Sequence, residues 1–219
     1  MANNTHQYGF RWVGSLDGGC CPKPIECRVA SAYQATVSAT NVNLNRGDPV
    51  QFNVGAPGTG FIELAAGAGS PSIFWGVIVG FSNVKVGLPL KGRPYSFLPG
   101  GTTYSTEENA SKVLVIPFGR NIWEIDILNN TSSCDTFAEY LAMSNRCADL
   151  VYSLDTSNPD NPRANPYLNF TGITDDTADF RILGPSMTRM NQDFSGNNVK
   201  MRLVVNESGE APYVTDPGV

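Results

Sequence analysis

The most apolar run in the chain lies at residues 72–81, SIFWGVIVGF, and turn-forming residues stand on both sides of it. Ten residues are too few to span a membrane as a helix. Ile, Val, Phe and Trp are enriched in strands, so the run predicts a buried β-strand. Upstream, Val50, Phe52 and Val54 alternate with polar residues, as expected of a half-buried strand. We therefore expect the neighbouring segments to pair with the 72–81 strand.

Two apolar segments further along the chain predict a β-hairpin. VLVIPF at 113–118 and IWEIDIL at 122–128 are separated by three turn residues, a spacing typical of antiparallel partners. In the second segment Trp123, Ile125 and Ile127 share one face, while Glu124 and Asp126 share the other. We expect the first face to lie in the core and the second to face solvent.

The last third of the chain predicts one helix and several strands. Thr136 and Glu139 form the S/T-x-x-E pattern of a capping box, so a short helix is expected near 136–146. Strands are expected at 147–154, 180–183 and 199–205. The Pro- and Asn-rich stretch at 156–166 predicts a break in regular structure.

Two irregular regions complete the pattern. Residues 1–46 lack a sustained period and carry several aromatic side chains, which predicts an extended N-terminal arm. The Gly and Pro residues at 83–104 predict a long surface loop, and such loops in compact domains are usually functional. Residues 47–219 are expected to form one all-β domain, a single barrel or a two-sheet sandwich, with the short helix as a lid.

Composition narrows the possible functions. The chain of 219 residues has a formal net charge of −5 and no Lys/Arg cluster, so we expect no direct contact with nucleic acid. Its first residues lack the pattern of a secretory signal and no segment is long enough to cross a membrane, so we expect synthesis in the cytoplasm. The five cysteines, an odd number, then favour reduced thiols.

The sequence contains no common catalytic arrangement. Its single histidine, His6, lies in the predicted arm, and neither a G-x-S-x-G motif nor a phosphate-binding loop occurs. Glu124 and Asp126 would lie about 6.6 Å apart on a strand face, which is a spacing that glycosidases use. Any solvent-facing strand with two acids gives the same spacing. We expect a non-enzymatic protein.

Metal sites are not expected either. Cys20, Cys21 and Cys27 match no common zinc template. The acidic and amide groups at 155–161 and the acids at 175–179 could ligate calcium, but neither set has the glycine and distal glutamate of an EF-hand loop. We therefore expect no cofactor and no metal.

Seven short motifs spread over most of the chain form a recognisable pattern. They are GDPV at 47–50, FIELAA at 61–66, FWGVIVGF at 74–81, LPGG at 98–101, VLVIP at 113–117, NQDFSG at 191–196 and APY at 211–213. Together they resemble the pattern of tailed-phage head decoration proteins, also called capsid cement proteins. The N-terminal CCPKPIEC departs from that pattern.

The resemblance implies a structural protein of the virion. Such a protein is made in the host cytoplasm and binds the outer surface of the assembled capsid, commonly as a homotrimer. There it stabilises the head against the internal pressure of packaged DNA. The implied partners are the major capsid protein and further copies of the chain.

Exposed aromatic and basic side chains are the candidates for the capsid contact. They are Tyr8, Phe10, Arg11 and Trp12 in the arm, and Arg93, Tyr95, Phe97 and Tyr104 in the loop. An alternative function is a carbohydrate-binding or adhesin β-domain, since all-β scaffolds with aromatic loops also stack sugars. A further alternative is a hydrolase that uses Glu124 and Asp126, and it requires both side chains to face a cleft.

Overall fold

The chain is all-β in the part that the structure, a computed structural model, describes. Those residues are 9–29, 43–52, 61–65, 74–83, 97–98, 111–128, 134–155, 163–173, 178–188, 193–195 and 198–206. Their strands are β1 (Arg11–Ser15), β2 (Ile25–Val29), β3 (Leu44–Asn45), β4 (Pro49–Phe52), β5 (Phe61–Leu64), β6 (Phe74–Asn83), β7 (Phe97–Leu98), β8 (Lys112–Pro117), β9 (Asn121–Leu128), β10 (Cys147–Ala148), β11 (Leu150–Asp155), β12 (Arg163–Asn169), β13 (Phe180–Pro185) and β14 (Val199–Val205). The same residues contain one short helix, α1 (Phe137–Leu141), and a 3-10 turn at Phe170–Gly172. The predicted fold class is confirmed.

Five of the described strands close into a barrel in the order β2-β5-β4-β6-β8, with β8 pairing back to β2. β2 and β5 run parallel, and the other neighbours are antiparallel. The predicted apolar strand is β6, which lies between β4 and β8. A Cβ at Gly76 would lie 2.5 Å from the carbonyl oxygen of Ile116, so the close approach of β6 and β8 requires glycine there.

The second sheet of the described chain has seven strands, and we call it the large sheet. Its order is β10-β13-β14-β9-β12-β11, and β1 is added alongside β9. β14 pairs along one side of β9, while β1 and β12 share the other side. A separate pairing of β3 with β7 brings Leu44 opposite Leu98.

Two clusters of buried side chains hold these layers together. One cluster lines the barrel and includes Val29, Val50, Ile62, Ile78 and Val115. The other joins the barrel to the large sheet, because it combines barrel residues with large-sheet residues. Its members include Phe74, Val77 and Ile116 from the barrel and Trp123, Ile125, Phe180 and Leu203 from the large sheet.

The described part of the N-terminal segment is built into the fold by strand pairing, which corrects the prediction of an extended arm for residues 9–29 and 43–46. β1 pairs with β9 of the large sheet, and β2 lies between β5 and β8 in the barrel wall. Both strands have only five residues, and their partners lie far along the chain. A short strand of this kind leaves little local periodicity, because its burial is decided by distant partners.

The predicted hairpin of 113–118 with 122–128 is wrong, although both segments are strands. β8 pairs with β6 and β2 in the barrel, whereas β9 pairs with β14, β12 and β1 in the large sheet. The turn between them carries the chain from one sheet to the other. At this turn the Phe118 N–H donates to the Trp75 carbonyl oxygen at 2.9 Å, and the Asn121 N–H donates to the Phe118 oxygen at 3.0 Å.

The predicted helix forms but is shorter than 136–146. Its capping box is present: the Thr136 hydroxyl accepts from the Glu139 N–H, and the Glu139 carboxylate accepts from the Thr136 N–H. The helix ends at Leu141, and Asn145 adopts a left-handed conformation with its N–H bonded to the Ile182 oxygen of β13. No helix among the described residues is long and apolar enough to cross a membrane.

The predicted break at 156–166 is wrong at its end, because β12 begins at Arg163 and contains Pro166. Pro166 lies opposite Tyr152 of β11. β9 pairs with β12 only at Leu168 and Asn169. One side of β12 therefore has no ladder partner at Pro166 within the described chain, and a strand tolerates proline at such a place.

Candidate functional site

Phe10 lies in the core, so the expectation that it is exposed to a partner is wrong. Its side chain is 4% exposed. Its ring centroid lies 5.2 Å from those of both Phe118 and Phe180, and its N–H donates to the Gly47 oxygen at 2.8 Å. The pairing of β1 with β9 carries Phe10 into the apolar layer between the barrel and the large sheet.

Arg11 and Trp12 keep partial access to solvent. The Arg11 side chain is 51% exposed, and its Nη2 lies 2.6 Å from Glu124 Oε1. Trp12 is half-buried, and its Nε1 donates to Asn121 Oδ1 at 3.1 Å. Both side chains therefore already have partners on β9, and a capsid contact through them stays a prediction.

For the other predicted contact residues, the structure gives little or no information about the side chains. Tyr8, Arg93, Tyr95 and Tyr104 lie outside the described residues. Phe97 belongs to β7, where its backbone pairs with Asn45 of β3. The predicted loop at 83–104 is thus tied to the fold at 97–98, and the contact roles of these residues remain predictions.

Glu124 and Asp126 share one face of β9, but that face is covered, so the expectation that it faces solvent is wrong. Glu124 is 3% exposed and Asp126 is 6% exposed. We call this face of β9, together with the side chains of β1 and β14 that lie against it, the polar face. Strand pairing places Arg11 and Arg202 opposite Glu124, and Lys200 opposite Asp126.

The polar face is a set of buried ion pairs. Lys200 Nζ lies 3.3 Å from Asp126 Oδ1, and both side chains are almost fully buried. The Ser186 hydroxyl donates to Glu124 Oε2, opposite the Arg11 contact on Oε1. Within the described residues Asp126 Oδ2 accepts no hydrogen bond. Burial raises the pKa of Asp126 to about 6, although the Lys200 charge opposes that rise.

This geometry removes the premise of the hydrolase alternative. A glycosidase pair needs two carboxyl groups that flank a substrate. Here Glu124 and Asp126 point toward cations of neighbouring strands, and each is held by an ion pair. The arrangement is that of structural charges inside a sheet rather than acids beside a bound sugar.

Apolar side chains gather on the surface around α1. Phe137 and Leu141 are 37% and 49% exposed. The ring of Phe194 packs against Phe137 with centroids 5.4 Å apart, and it also packs against Tyr140. We call Phe137, Leu141 and Phe194 the helix patch. Two acids, Asp135 and Glu139, lie beside it.

Two features of the structure were missed by the sequence patterns. Asp48 entered the sequence analysis only within the GDPV motif, yet it is buried, accepts the Asn45 N–H at 2.7 Å, and burial raises its pKa to about 8. Lys200 lies in the predicted strand at 199–205, but its burial was not predicted. The spacing Asn45-x-x-Asp48 could have indicated the first, because a side chain that caps its own turn is fixed in place. No local feature of the sequence indicates that Lys200 is buried.

Metal ligands do not converge in the described residues, where no group of three His, Cys, Asp or Glu side chains is placed to hold an ion. Among the calcium candidates, Asp175 and Asp176 lie outside the described residues, as does most of 155–161. Asp179 instead accepts the Leu150 N–H at 3.3 Å.

Comparison of the chain with protein-family models, with curated proteins and with solved structures found no match. The resemblance to decoration proteins is therefore a prediction from sequence motifs. The class that the structure supports is an all-β protein built from a closed barrel and a second sheet.

Proposed function

We propose that this chain is a non-enzymatic structural protein of a phage virion that binds the outer surface of the capsid and stabilises it. The proposal makes the major capsid protein and further copies of the chain its partners. The sequence motifs support it, and so does the surface at α1. The helix patch is the structural observation on which the proposal mainly rests.

The helix patch has the properties of a contact surface. Large apolar side chains are exposed next to one another, and aromatic residues with an acidic border are typical of the centre and rim of an interface. The capping box and the packing on β13 fix the helix in place, so little order has to be gained on binding.

The test is binding to capsids assembled without this chain. We expect the wild-type chain to sediment with such capsids and to raise the temperature at which they rupture. F137S/L141S is expected to bind at least about tenfold more weakly, since each truncated anchor typically costs more than about 1 kcal/mol. L154S is the matched control, because Leu154 is similarly exposed but lies on β11. Absence of wild-type binding would overturn the proposal.

The predicted contact residues need variants that spare the fold. Deleting residues 1–15 would remove β1 and the core side chain of Phe10. Deleting residues 1–8 removes Tyr8 alone among the predicted contacts and leaves β1 intact. R93A/Y95A/Y104A tests the loop. Full capsid binding by both variants would restrict the contact to other surfaces.

A carbohydrate-binding domain is the second candidate, and one observation favours it. Phe52 is 37% exposed, and its ring lies 5.1 Å from that of Trp75 at an angle of 43°. Trp75 is buried at 7% exposure, so Phe52, supported from beneath by Trp75, is the ring on which a sugar could stack at the end of β4. Glycan-array binding that is lost in F52A, without any affinity for capsids, would establish this function instead.

A further inference from the structure

A highly exposed segment with two adjacent thiols links the two sheets. Residues 16–26 run from the end of β1 in the large sheet into the start of β2 in the barrel, and we call them the thiol loop. Every residue in it is exposed except Pro22, which is half-buried. Cys20 and Cys21 both lie on this surface.

Neither thiol has a partner for a disulfide within its own chain. Adjacent α-carbons lie about 3.8 Å apart across a trans peptide, which is shorter than the 4.4–6.8 Å span of an ordinary disulfide. Cys27 and Cys147 are buried, and Cys134 is packed beside the core. Cys27 lies in the barrel cluster, where burial raises its pKa to about 12. No disulfide joins any of the five cysteines, all of which the structure describes.

The thiol loop also has features that suit association with an identical loop. Leu16 and Ile25, at its two ends, are 55% and 47% exposed. The loop and the side chains paired with it carry charges of both signs: Asp17 pairs with Arg120, Glu26 pairs with Lys112, and Lys23 adds a cation. Cations outnumber acids here, although the whole chain carries a net charge of −5. The two ion pairs cancel and leave the charge of Lys23, so two copies meet only weak repulsion at this loop.

We propose that Cys20 and Cys21 form an interchain disulfide site between two copies of this chain, brought together through the thiol loop. The oxidant is a low-molecular-weight disulfide such as oxidised glutathione. A thiolate of one chain attacks the small disulfide, forms a mixed disulfide and releases one small thiol. A thiolate of the second chain then attacks the protein sulfur, forms the interchain bond and releases the second small thiol.

The second copy is the occupant that the loop favours. An exposed thiol that cannot pair within its chain can form a disulfide only with a thiol of another molecule. A second copy presents the same thiols and the same exposed apolar ends, so a twofold contact at this loop would place thiol near thiol and Leu16 and Ile25 near their own copies. This inference does not depend on capsid binding, and its test uses the chain alone.

The experiment follows covalent dimer formation. The full-length chain at about 10 μM is treated with oxidised glutathione and analysed by non-reducing electrophoresis and intact mass. Thiols held together in a docked pair have an effective concentration in the millimolar range. We therefore expect wild-type dimers to form roughly 100-fold faster than random collision allows, and C20S/C21S to stay monomeric.

Random collision is measured with C20S/C21S/M187C, which moves the thiol to a position that is 72% exposed and lies outside the thiol loop and the helix patch. L16S/I25S keeps both thiols and is expected to cross-link several-fold more slowly than the wild type. C134S is expected to behave as the wild type.

Four outcomes would overturn the proposal. They are a monomer that carries only glutathione adducts, a monomer two hydrogens lighter through a bond between adjacent cysteines, cross-linking of C20S/C21S/M187C as fast as the wild type, and an unchanged rate in L16S/I25S.

Discussion

The barrel wall and the large sheet place the charged pairs of their strands differently. The barrel cluster is apolar, and the charged pair on its wall, Lys112 with Glu26, is exposed. The large sheet has an apolar side against the barrel, but on its polar face it buries Glu124, Asp126 and Lys200. The same alternation of strand residues thus leads to an exposed charged side in one region and a covered charged side in the other.

The difference shows what strand pairing adds to a sequence pattern. On the barrel wall Glu26 and Lys112 each keep more than a third of the side chain in solvent. On the polar face, strands on both sides of β9 supply cations directly opposite its two acids. Burial of charge is tolerated there because each acid is matched across the ladder.

The largest expected effect comes from breaking the layer that joins the two regions. Phe118 lies in that layer, and its ring packs against those of Phe74, Trp123 and Phe180. F118A is expected to lower the free energy of unfolding by about 3–5 kcal/mol. Urea unfolding followed by tryptophan fluorescence and by far-UV circular dichroism measures it.

F137A is the matched control for that experiment, because Phe137 is partly exposed on α1. It is expected to cost clearly less than F118A, about 1–2 kcal/mol, since more than a third of Phe137 stays in water. If F118A gave two separate transitions with one region unchanged, the barrel and the large sheet would be independent units rather than one cooperative fold.

The buried pair on the polar face gives the next largest effect. K200M leaves Asp126 buried without its cation, so we expect a loss of about 3 kcal/mol at neutral pH. In D126L/K200M both charges are replaced by apolar groups, and stability close to that of the wild type is expected. Denaturant unfolding of the wild type, K200M and D126L/K200M measures the free energy of unfolding of each protein. A loss in the double variant as large as in K200M would mean that the polar face is not packed like a core.

These differences mark how far the sequence could lead. Period-two alternation correctly placed Trp123, Ile125 and Ile127 on a core face, and the capping box of Thr136 correctly placed α1. The local sequence was therefore enough to predict which segments are strands. It was not enough to predict how the strands pair. The segment at 119–121, expected to be a hairpin turn, is a crossover between sheets, and the strands on either side of it pair with strands far away in the chain.

The same limit explains the candidate site. Whether Glu124 faces solvent depends on Arg11 and Arg202, which lie more than seventy residues away on either side. Phe10 was expected on the surface because residues 1–46 lack a sustained hydrophobic period and were predicted to form an arm. The exposure of a side chain depends on how the strands pair, and strand pairing is the feature of the fold that a single sequence specifies least. The choice of contact residues from exposure has the same limit.

Buried acids should also make stability depend on pH. Burial raises the pKa of Asp48 to about 8 and those of Asp126 and Asp179 to about 6, whereas an unfolded aspartate titrates near 3.9. Between these values the folded chain binds more protons than the unfolded chain. Stability is therefore expected to fall as pH rises from about 4 to 8, and then to level off.

D48N isolates the contribution from the end of the barrel. Asparagine keeps an oxygen that can accept the Asn45 N–H but has no proton to lose. The wild type is expected to lose at least about 1 kcal/mol between pH 6 and 8, since one pKa unit corresponds to about 1.4 kcal/mol. D48N should lose much less over that range. Parallel stability curves for the two proteins, measured by urea unfolding at each pH, would contradict the role given to Asp48.

The smallest effect is expected from the exposed pair, for which K112M repeats the substitution made in K200M. Lys112 Nζ lies 2.6 Å from Glu26 Oε1, closer than the buried pair, but both side chains are accessible to water. Solvent replaces the lost cation at an exposed site, so the urea midpoint should stay within experimental error of the wild type. The pKa of Glu26, which the hydrogen bond from Lys112 lowers, should rise toward its ordinary value, and NMR titration of the carboxyl carbon would detect this. A loss of stability comparable with that of K200M would show that distance, rather than burial, sets the difference between the two regions.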